Sequence, residues 1–167
     1  MSATTAGGLG LPEPLTIAGF EGSVSEWLQR CRWQLEAIVD GHIQPWGRPV
    51  VACCAHEELF WHIVTSDDGP CPRRLDIGRC ELLGQVWDVL ERLAAADPRV
   101  CWWPVKDRRG RSIHVAPIDF SLVVVLKECR TSYLLLTAYP KGPRRRAKLM
   151  ERAAMACEGR WSTRRTT

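Results

Sequence analysis

FSLVVVLKECRTSYLLLTAYP, residues 120 to 140, contains two apolar runs that are separated by a short polar segment. The runs Phe120 to Lys127 and Thr131 to Tyr139 predict two strands. Two earlier runs, Val100 to Lys106 and Ser112 to Ala116, flank the charged turn DRRG at 107 to 110. Because turns this short join antiparallel neighbours, the four segments predict a mostly antiparallel sheet.

Helical periodicity precedes and follows these strands. Apolar residues recur at helical spacing over 24 to 39, and Ser23 with Glu26 matches a capping box at the start of that helix. A second helix is predicted over 76 to 96, with a break near Gly84. A third is predicted after Pro143, on the apolar positions Leu149, Met150, Ala153, Ala154 and Cys157.

Two further strands are expected between the first two helices. Arg48 to Ala55 and Leu59 to Ser66 suit a hairpin that turns at residues 56 to 58. The predicted fold class is therefore α+β: a mostly antiparallel sheet with an N-terminal, a middle and a C-terminal helix packed on it. We expect a leader at 1–19, a single domain at 20–157 and a basic tail at 158–167.

Charge is distributed unevenly along the 167 residues. Residues 1 to 70 carry 3 Lys and Arg against 9 Asp and Glu, a net charge of −6, and residues 71 to 167 carry 20 against 10, a net charge of +10. A basic surface built by the C-terminal half predicts a polyanionic partner, and a solvated charged face is the alternative.

The expected cellular location of the protein and the state of its cysteines rest on two features that the sequence lacks, a membrane span and a signal peptide. No apolar run approaches the roughly 18 to 20 residues of a membrane span, and the start MSATTAGGLGLPEP has no signal-peptide order. We therefore expect a cytoplasmic protein with no membrane partner. The eight cysteines, among them Cys31, Cys53, Cys54 and Cys101, are expected to be buried free thiols.

The sequence offers no established cofactor motif. Walker, Rossmann, zincin and nucleophile-elbow patterns are absent. A zinc site would need Cys53, Cys54, His56 and His62 with Cys71 or Cys80. Adjacent cysteines on a strand point to opposite faces, and no C-x-x-C pair exists, so we predict neither a metal nor a cofactor.

The segment FWHIVTSDD, residues 60 to 68, contains the most informative histidine. On the predicted strand His62 shares a face with Phe60 and Val64 near the polar strand end. It is then either a packed core histidine or, if partly buried, a group tuned for proton transfer.

Arginines and hydroxyl groups supply the remaining candidates. Arg73, Arg74, Asp76 and Arg79 open the second helix, and a salt bridge at the helix start is the structural alternative for Asp76 and Arg79. Thr137 and Tyr139 are expected on one face of the last strand. The arginine-rich segment that follows holds candidate phosphate contacts, or a solvated basic helix: Arg144, Arg145, Arg146 and Lys148.

Three of these motifs together resemble a known group of proteins. FWHIVTSDD, the R-x-x-D-x-x-R formed by Arg73, Asp76 and Arg79, and the strand end TAYP before an arginine-rich helix look like the barnase/EndoU/colicin/RelE-like nuclease superfamily, in its phage- and toxin-associated bacterial branch. The GRPV segment and the first helix with its Trp and Asp40 also fit. The resemblance covers about residues 24 to 155.

The resemblance implies a curved antiparallel sheet and metal-independent cleavage of RNA, such as tRNA or rRNA, in a toxin or phage-conflict setting. Carried over by position, His62 is the proton-transfer residue, and Arg79 and Arg74 stabilise the phosphorane. Thr137 donates to phosphate. Substrate contacts are expected from Tyr139, Arg73, Arg144, Arg145 and Lys148. An acidic antitoxin or immunity protein is the expected protein partner.

Two other functions stay open at this stage. A catalytically silent member of the same fold would bind RNA or protein through the basic half without cutting. An NAD-dependent ADP-ribosyltransferase is the less favoured alternative, since a strand histidine with nearby arginine and tyrosine also suits that chemistry.

Overall fold

The computed structural model describes residues 17–66, 74–108, 110–142, 145–146, 148–150 and 153. Two short 3-10 turns, Ile17–Gly19 and Pro45–Gly47, accompany the regular elements. The helices are α1 Val24–Ile38, α2 His56–Val64, α3 Ile77–Glu81 and α4 Leu83–Ala94; the strands are β1 Val50–Ala52, β2 Thr65–Ser66, β3 Arg74–Leu75, β4 Val100–Asp107, β5 Gly110–Pro117, β6 Leu122–Glu128 and β7 Tyr133–Pro140.

Five strands form one open sheet in the order β1-β7-β6-β5-β4. Strands β4 to β7 are an antiparallel meander, as the short turns predict. Gly110 closes the β4–β5 turn at φ 116°, a conformation that favours glycine. β1 adds to β7 in parallel, with Val50 beside Tyr133 and Ala52 beside Leu135. The α+β class with a mostly antiparallel sheet is therefore confirmed.

The sheet is covered on both faces because its central strand is apolar on both. In β6, Leu122, Val124 and Leu126 point into the larger core, which also contains buried residues of α1, α2 and α4. Val123 and Val125 point the other way, into a smaller cluster. That cluster, called here the far-face cluster, consists of Cys101, Trp103, Ala116, Phe120, Val123, Val125 and Ala153.

Helix α1 forms where the periodicity predicts it. Ser23 and Glu26 make the reciprocal capping box, with the Ser23 backbone N–H donating to the Glu26 carboxylate at 2.7 Å. Trp27, Cys31 and Ile38 are buried on one stripe of the helix. Residues 145, 146, 148 to 150 and 153 are helical, as expected for the C-terminal helix; Ala154 and Cys157 lie outside the described residues.

The predicted hairpin over 48 to 66 is wrong. Only Val50–Ala52 is a strand of the main sheet, and His56–Val64 is helix α2. The buried residues of α2 are Leu59, Phe60, Ile63 and Val64, which is helical spacing and not the alternation of a strand with one buried face. Packing of this face against the core decides in favour of the helix.

The predicted helix over 76 to 96 is two helices. α3 begins after Asp76, whose carboxylate accepts from the Arg79 backbone N–H at 3.2 Å, and the break lies at Leu82, two residues before the expected Gly84. Asp76 is thus a helix cap.

Arg48 joins the chain before β1 to the β6–β7 turn. Its guanidinium donates to the Cys129 carbonyl at 2.6 Å and to the Glu128 carboxylate at 2.9 Å. It also donates to the Tyr133 hydroxyl and lies 4.2 Å from the centroid of that ring. Tyr133 is fully buried, so Arg48 gives its phenol a polar partner away from solvent.

We predict that Arg48→Met lowers the free energy of unfolding by about 2–3 kcal/mol, since it breaks the charge-assisted bonds to Glu128 and to the Cys129 carbonyl. Urea denaturation followed by tryptophan fluorescence measures the change. Arg99→Met is the matched control: Arg99 binds Asp97 but its side chain is 66% exposed, so little change is expected. Equal losses in the two variants would contradict the role given to Arg48.

Candidate functional site

His62 lies in the last turn of helix α2 with its side chain exposed. The expected strand, with Phe60 and Val64 on the same face, is wrong: those two side chains are at most 1% exposed and point into the core. The histidine is therefore not a packed core residue. Its imidazole is available to solvent and to a ligand.

Arg79 connects the end of α2 to the start of α3. Its Nη1 donates to the Thr65 carbonyl at 2.8 Å, and its Nε lies 3.6 Å from the Asp76 carboxylate. The Asp76 backbone N–H donates in turn to the Val64 carbonyl at 2.8 Å. The salt bridge at the helix start is therefore present, and Arg79 holds two segments together.

Arg74 stands on β3, exposed, and pairs with Ser66 of β2. This pairing, with the bonds of Asp76 to Val64 and of Arg79 to Thr65, joins residues 64–66 to residues 74–79. Because β2 directly continues α2, His62 lies within one helical turn of this junction. We call this region the α2–α3 corner. It gathers three of the predicted catalytic residues: His62, Arg74 and Arg79.

The corner offers one proton-transfer group and two cations. An imidazole ring has two nitrogens, one able to accept a proton and one able to donate it. Arg74 is exposed and makes no side-chain hydrogen bond to another described residue, whereas two of the five N–H donors of Arg79 face Thr65 and Asp76. Such a set can bind a phosphodiester and move one proton.

Thr137 and Tyr139 are not part of this corner. Thr137 pairs with Val125 and Tyr139 with Val123, and both valines belong to the far-face cluster. Since directly paired residues share a face, both side chains lie on the side of the sheet away from α1 to α4. The sequence correctly places the two on one face. Their expected cooperation with His62 is not supported by this register.

Tyr139 has a local role on that far face. Burial raises the pKa of its phenol. The Lys141 ammonium lies 4.2 Å from the ring centroid, and burial followed by repulsion from Arg145 lowers the pKa of that lysine. These contacts indicate a packed cation–π pair that anchors the C-terminal segment.

The residues predicted to contact phosphate near the C-terminus differ in exposure. Arg145 and Lys148 are exposed. Arg146 is half-buried and its Nε donates to the Lys141 carbonyl at 2.8 Å, so it supports the backbone. Arg73 and Arg144 lie outside the described residues.

One basic surface was missed from the sequence. The turns β4–β5 and β6–β7 lie at the same end of the sheet, and five exposed basic residues cluster there: Lys106, Arg108, Arg111, Lys127 and Arg130. We call this the basic sheet end. Glu128 neutralises part of it, lying 3.5 Å from Arg111 and 2.9 Å from Arg48. The charged turn DRRG was the available signal.

The described residues contain no cluster of three or more His, Cys, Asp or Glu side chains placed to hold a metal ion. In that same part of the chain, no helix has the length and apolar character needed to cross a membrane. Comparisons with protein-family models, curated proteins and solved structures found no match to this chain.

We predict that substitutions of two residues of the corner differ in their effect on stability. Arg79→Ala should lower the free energy of unfolding by about 1.5–3 kcal/mol, because it removes charged bonds to Thr65 and Asp76. His62→Ala should change it by no more than about 0.5 kcal/mol, since the side chain is exposed and Ala suits a helix. Chemical denaturation compares them; a large loss in His62→Ala would show that this histidine is structural.

Proposed function

We propose that this protein is a metal-independent endoribonuclease, with the α2–α3 corner as its active site. The observation that carries the proposal is that the exposed His62 lies within one turn of the junction at which Arg74 pairs with Ser66 and Arg79 binds the Thr65 carbonyl. The resemblance of FWHIVTSDD and R-x-x-D-x-x-R to the nuclease superfamily supports the same residues. We further propose that it works in the cytoplasm.

RNA supplies its own nucleophile, so few protein groups are needed. The ribose 2′-oxygen attacks the adjacent phosphorus as its proton passes to a base, and the bond to the 5′-oxygen breaks as that oxygen gains a proton. The products are a 2′,3′-cyclic phosphate and a 5′-hydroxyl. His62 carries one of these proton transfers. Arg74 donates to the non-bridging oxygens, where negative charge develops.

The other residues take different roles in this proposal. Arg79 positions the corner through its contacts with Thr65 and Asp76. We propose that its remaining N–H donors bind the phosphate. Thr137 and Tyr139 lie on the far face and are left out of the catalytic set. DNA lacks the 2′-hydroxyl and is not a substrate.

The basic sheet end supports RNA, including tRNA or rRNA, as the ligand. Its exposed lysines and arginines are spread across two turns, as suits a phosphate backbone. The same charge would attract an acidic inhibitor protein, the partner expected for a toxin.

A second candidate function is RNA binding without cleavage. The observation that favours it is that Arg79 is already bound to Thr65 and Asp76, which leaves His62 and Arg74 as the exposed catalytic candidates of the corner. An efficient reaction needs both a base and an acid. Both candidate functions predict that the protein binds RNA, and only the nuclease predicts cleavage products.

We predict that the purified protein cuts total RNA or tRNA in EDTA and leaves 2′,3′-cyclic phosphate ends. His62→Ala should slow cutting at least about 100-fold, the usual range for loss of a proton-transfer group. His56→Ala is the matched control, because His56 is also exposed on α2 but lies in its first turn. Single-turnover kinetics with mapping of the new ends gives both quantities.

Each result selects between the candidates. Cutting that His56→Ala retains and His62→Ala loses supports the nuclease. Folded protein that binds RNA yet leaves it intact supports the silent binder. Equal rates for wild type and His62→Ala would exclude the α2–α3 corner as the active site.

We also predict that RNA affinity depends steeply on salt and on the basic sheet end. Replacing Lys106 and Lys127 by Glu should weaken binding and lower the slope of log affinity against log salt, by roughly one for each phosphate that the protein no longer neutralises. Fluorescence anisotropy between low and physiological salt measures both. Arg99→Glu, on a residue paired with Asp97, is the control; an equal effect there would mean that only total charge matters.

A further inference from the structure

Cys53 and Cys54 lie in the bend between β1 and α2. The expectation that adjacent cysteines point to opposite faces requires a strand, but β1 ends at Ala52. The backbone bends at both cysteines, and their Sγ atoms are 3.6 Å apart. Cys53 is exposed and Cys54 is half-buried, in contrast to the buried free thiols predicted for them. The structure therefore presents a dithiol at its surface.

The sulfur separation indicates which chemistry the pair is preorganised for. A disulfide needs about 2.05 Å between the sulfurs, so oxidation would require a large local movement. Two sulfurs bound to one atom through bonds of about 2.3 Å lie roughly 3.4 Å apart at a pyramidal centre and roughly 3.8 Å apart at a tetrahedral one. The observed 3.6 Å lies between these values. The pair is thus arranged to hold one atom between its sulfurs.

The number of neighbouring ligands limits the identity of that atom. Among the described residues no third His, Cys, Asp or Glu completes a metal-binding group. An atom that accepts only two protein sulfurs fits better than an ion that takes four protein ligands. Trivalent arsenic bearing one organic substituent meets this requirement, because two sulfurs complete its valence.

We propose that Cys53 and Cys54 form a chelating site for monosubstituted trivalent arsenicals. An arsenoxide condenses with the two thiols: both S–H bonds break, two S–As bonds form, and the protons leave with the arsenoxide oxygen as one water. No oxidant or reductant takes part. Product formation closes a ring through one arsenic atom and both sulfurs.

Cys54 enters this condensation with its proton. Burial, followed by the neighbouring Cys53 sulfur, raises the pKa of Cys54 to about 11. At neutral pH Cys54 is therefore a thiol, and its S–H supplies one of the two protons that leave with the oxygen. Of the described cysteines, Cys31, Cys80 and Cys101 are buried and Cys53 is exposed, so a small electrophile reaches Cys53 more readily than those three thiols.

Phenylarsine oxide is the probe for the experiment, with the reduced full-length chain kept folded and intact mass spectrometry as the readout. The expected product is one adduct per chain that excess glutathione, a monothiol, does not remove and that dithiothreitol does. Cys53→Ser and Cys54→Ser should each lose this glutathione-resistant adduct. Cys129→Ser, which changes a half-buried cysteine in the β6–β7 turn, is the matched control and should keep it.

The outcomes decide the proposal without reference to RNA cleavage. Circular dichroism first establishes that both serine variants are folded, as expected for replacements at a surface bend. A resistant adduct that persists in both variants, or peptide mapping that places it on other cysteines, overturns the site. An adduct on wild type that glutathione removes as readily as dithiothreitol does overturns chelation.

Discussion

Burial of strand β6 on both faces is the constraint on which the rest of the structure depends. Residues 122 to 126 are all at most 8% exposed, although alternate side chains point in opposite directions. A strand of this kind needs a packed layer on each side. Helices α1, α2 and α4 supply one layer, and the segment with Leu149 and Ala153 contributes to the other. The two faces of the sheet therefore pack against different parts of the chain.

The predicted site residues lie on two different sides of the sheet, so the candidate site is smaller than the sequence predicted. His62, Arg74 and Arg79 come from the helical side, where the end of α2 runs into the β2–β3 pair. Thr137 and Tyr139 belong to the far face, where Tyr139 packs with Lys141. The nuclease proposal accordingly rests on the corner and the basic sheet end, and leaves the far face a structural role.

The sequence predicted the elements in which local and tertiary preferences agree. Helix α1, with its capping box, and strands β4 to β7, with their short turns, are of this kind. Helix α2 was mistaken for a strand because residues 59 to 64 are a short apolar run with aromatic and β-branched residues, a composition that is typical of strands. Packing against the core buries Leu59, Phe60, Ile63 and Val64 at helical spacing and decides for the helix. Three features depend on residues 56 to 64 being a helix, and so could not be predicted from the sequence: the exposure of His62, the α2–α3 corner and the contact between Cys53 and Cys54.

Placement of the ligand at the α2–α3 corner is the central claim, and NMR titration with a 2′-O-methylated RNA tests it most directly. Methylation blocks the nucleophile, so binding is observed without cleavage. The account predicts that the largest chemical-shift changes fall on His62, Arg74 and the basic sheet end, with Thr137 unaffected. Changes confined to Thr137 and Tyr139, or an unperturbed His62 imidazole at saturation, would contradict it.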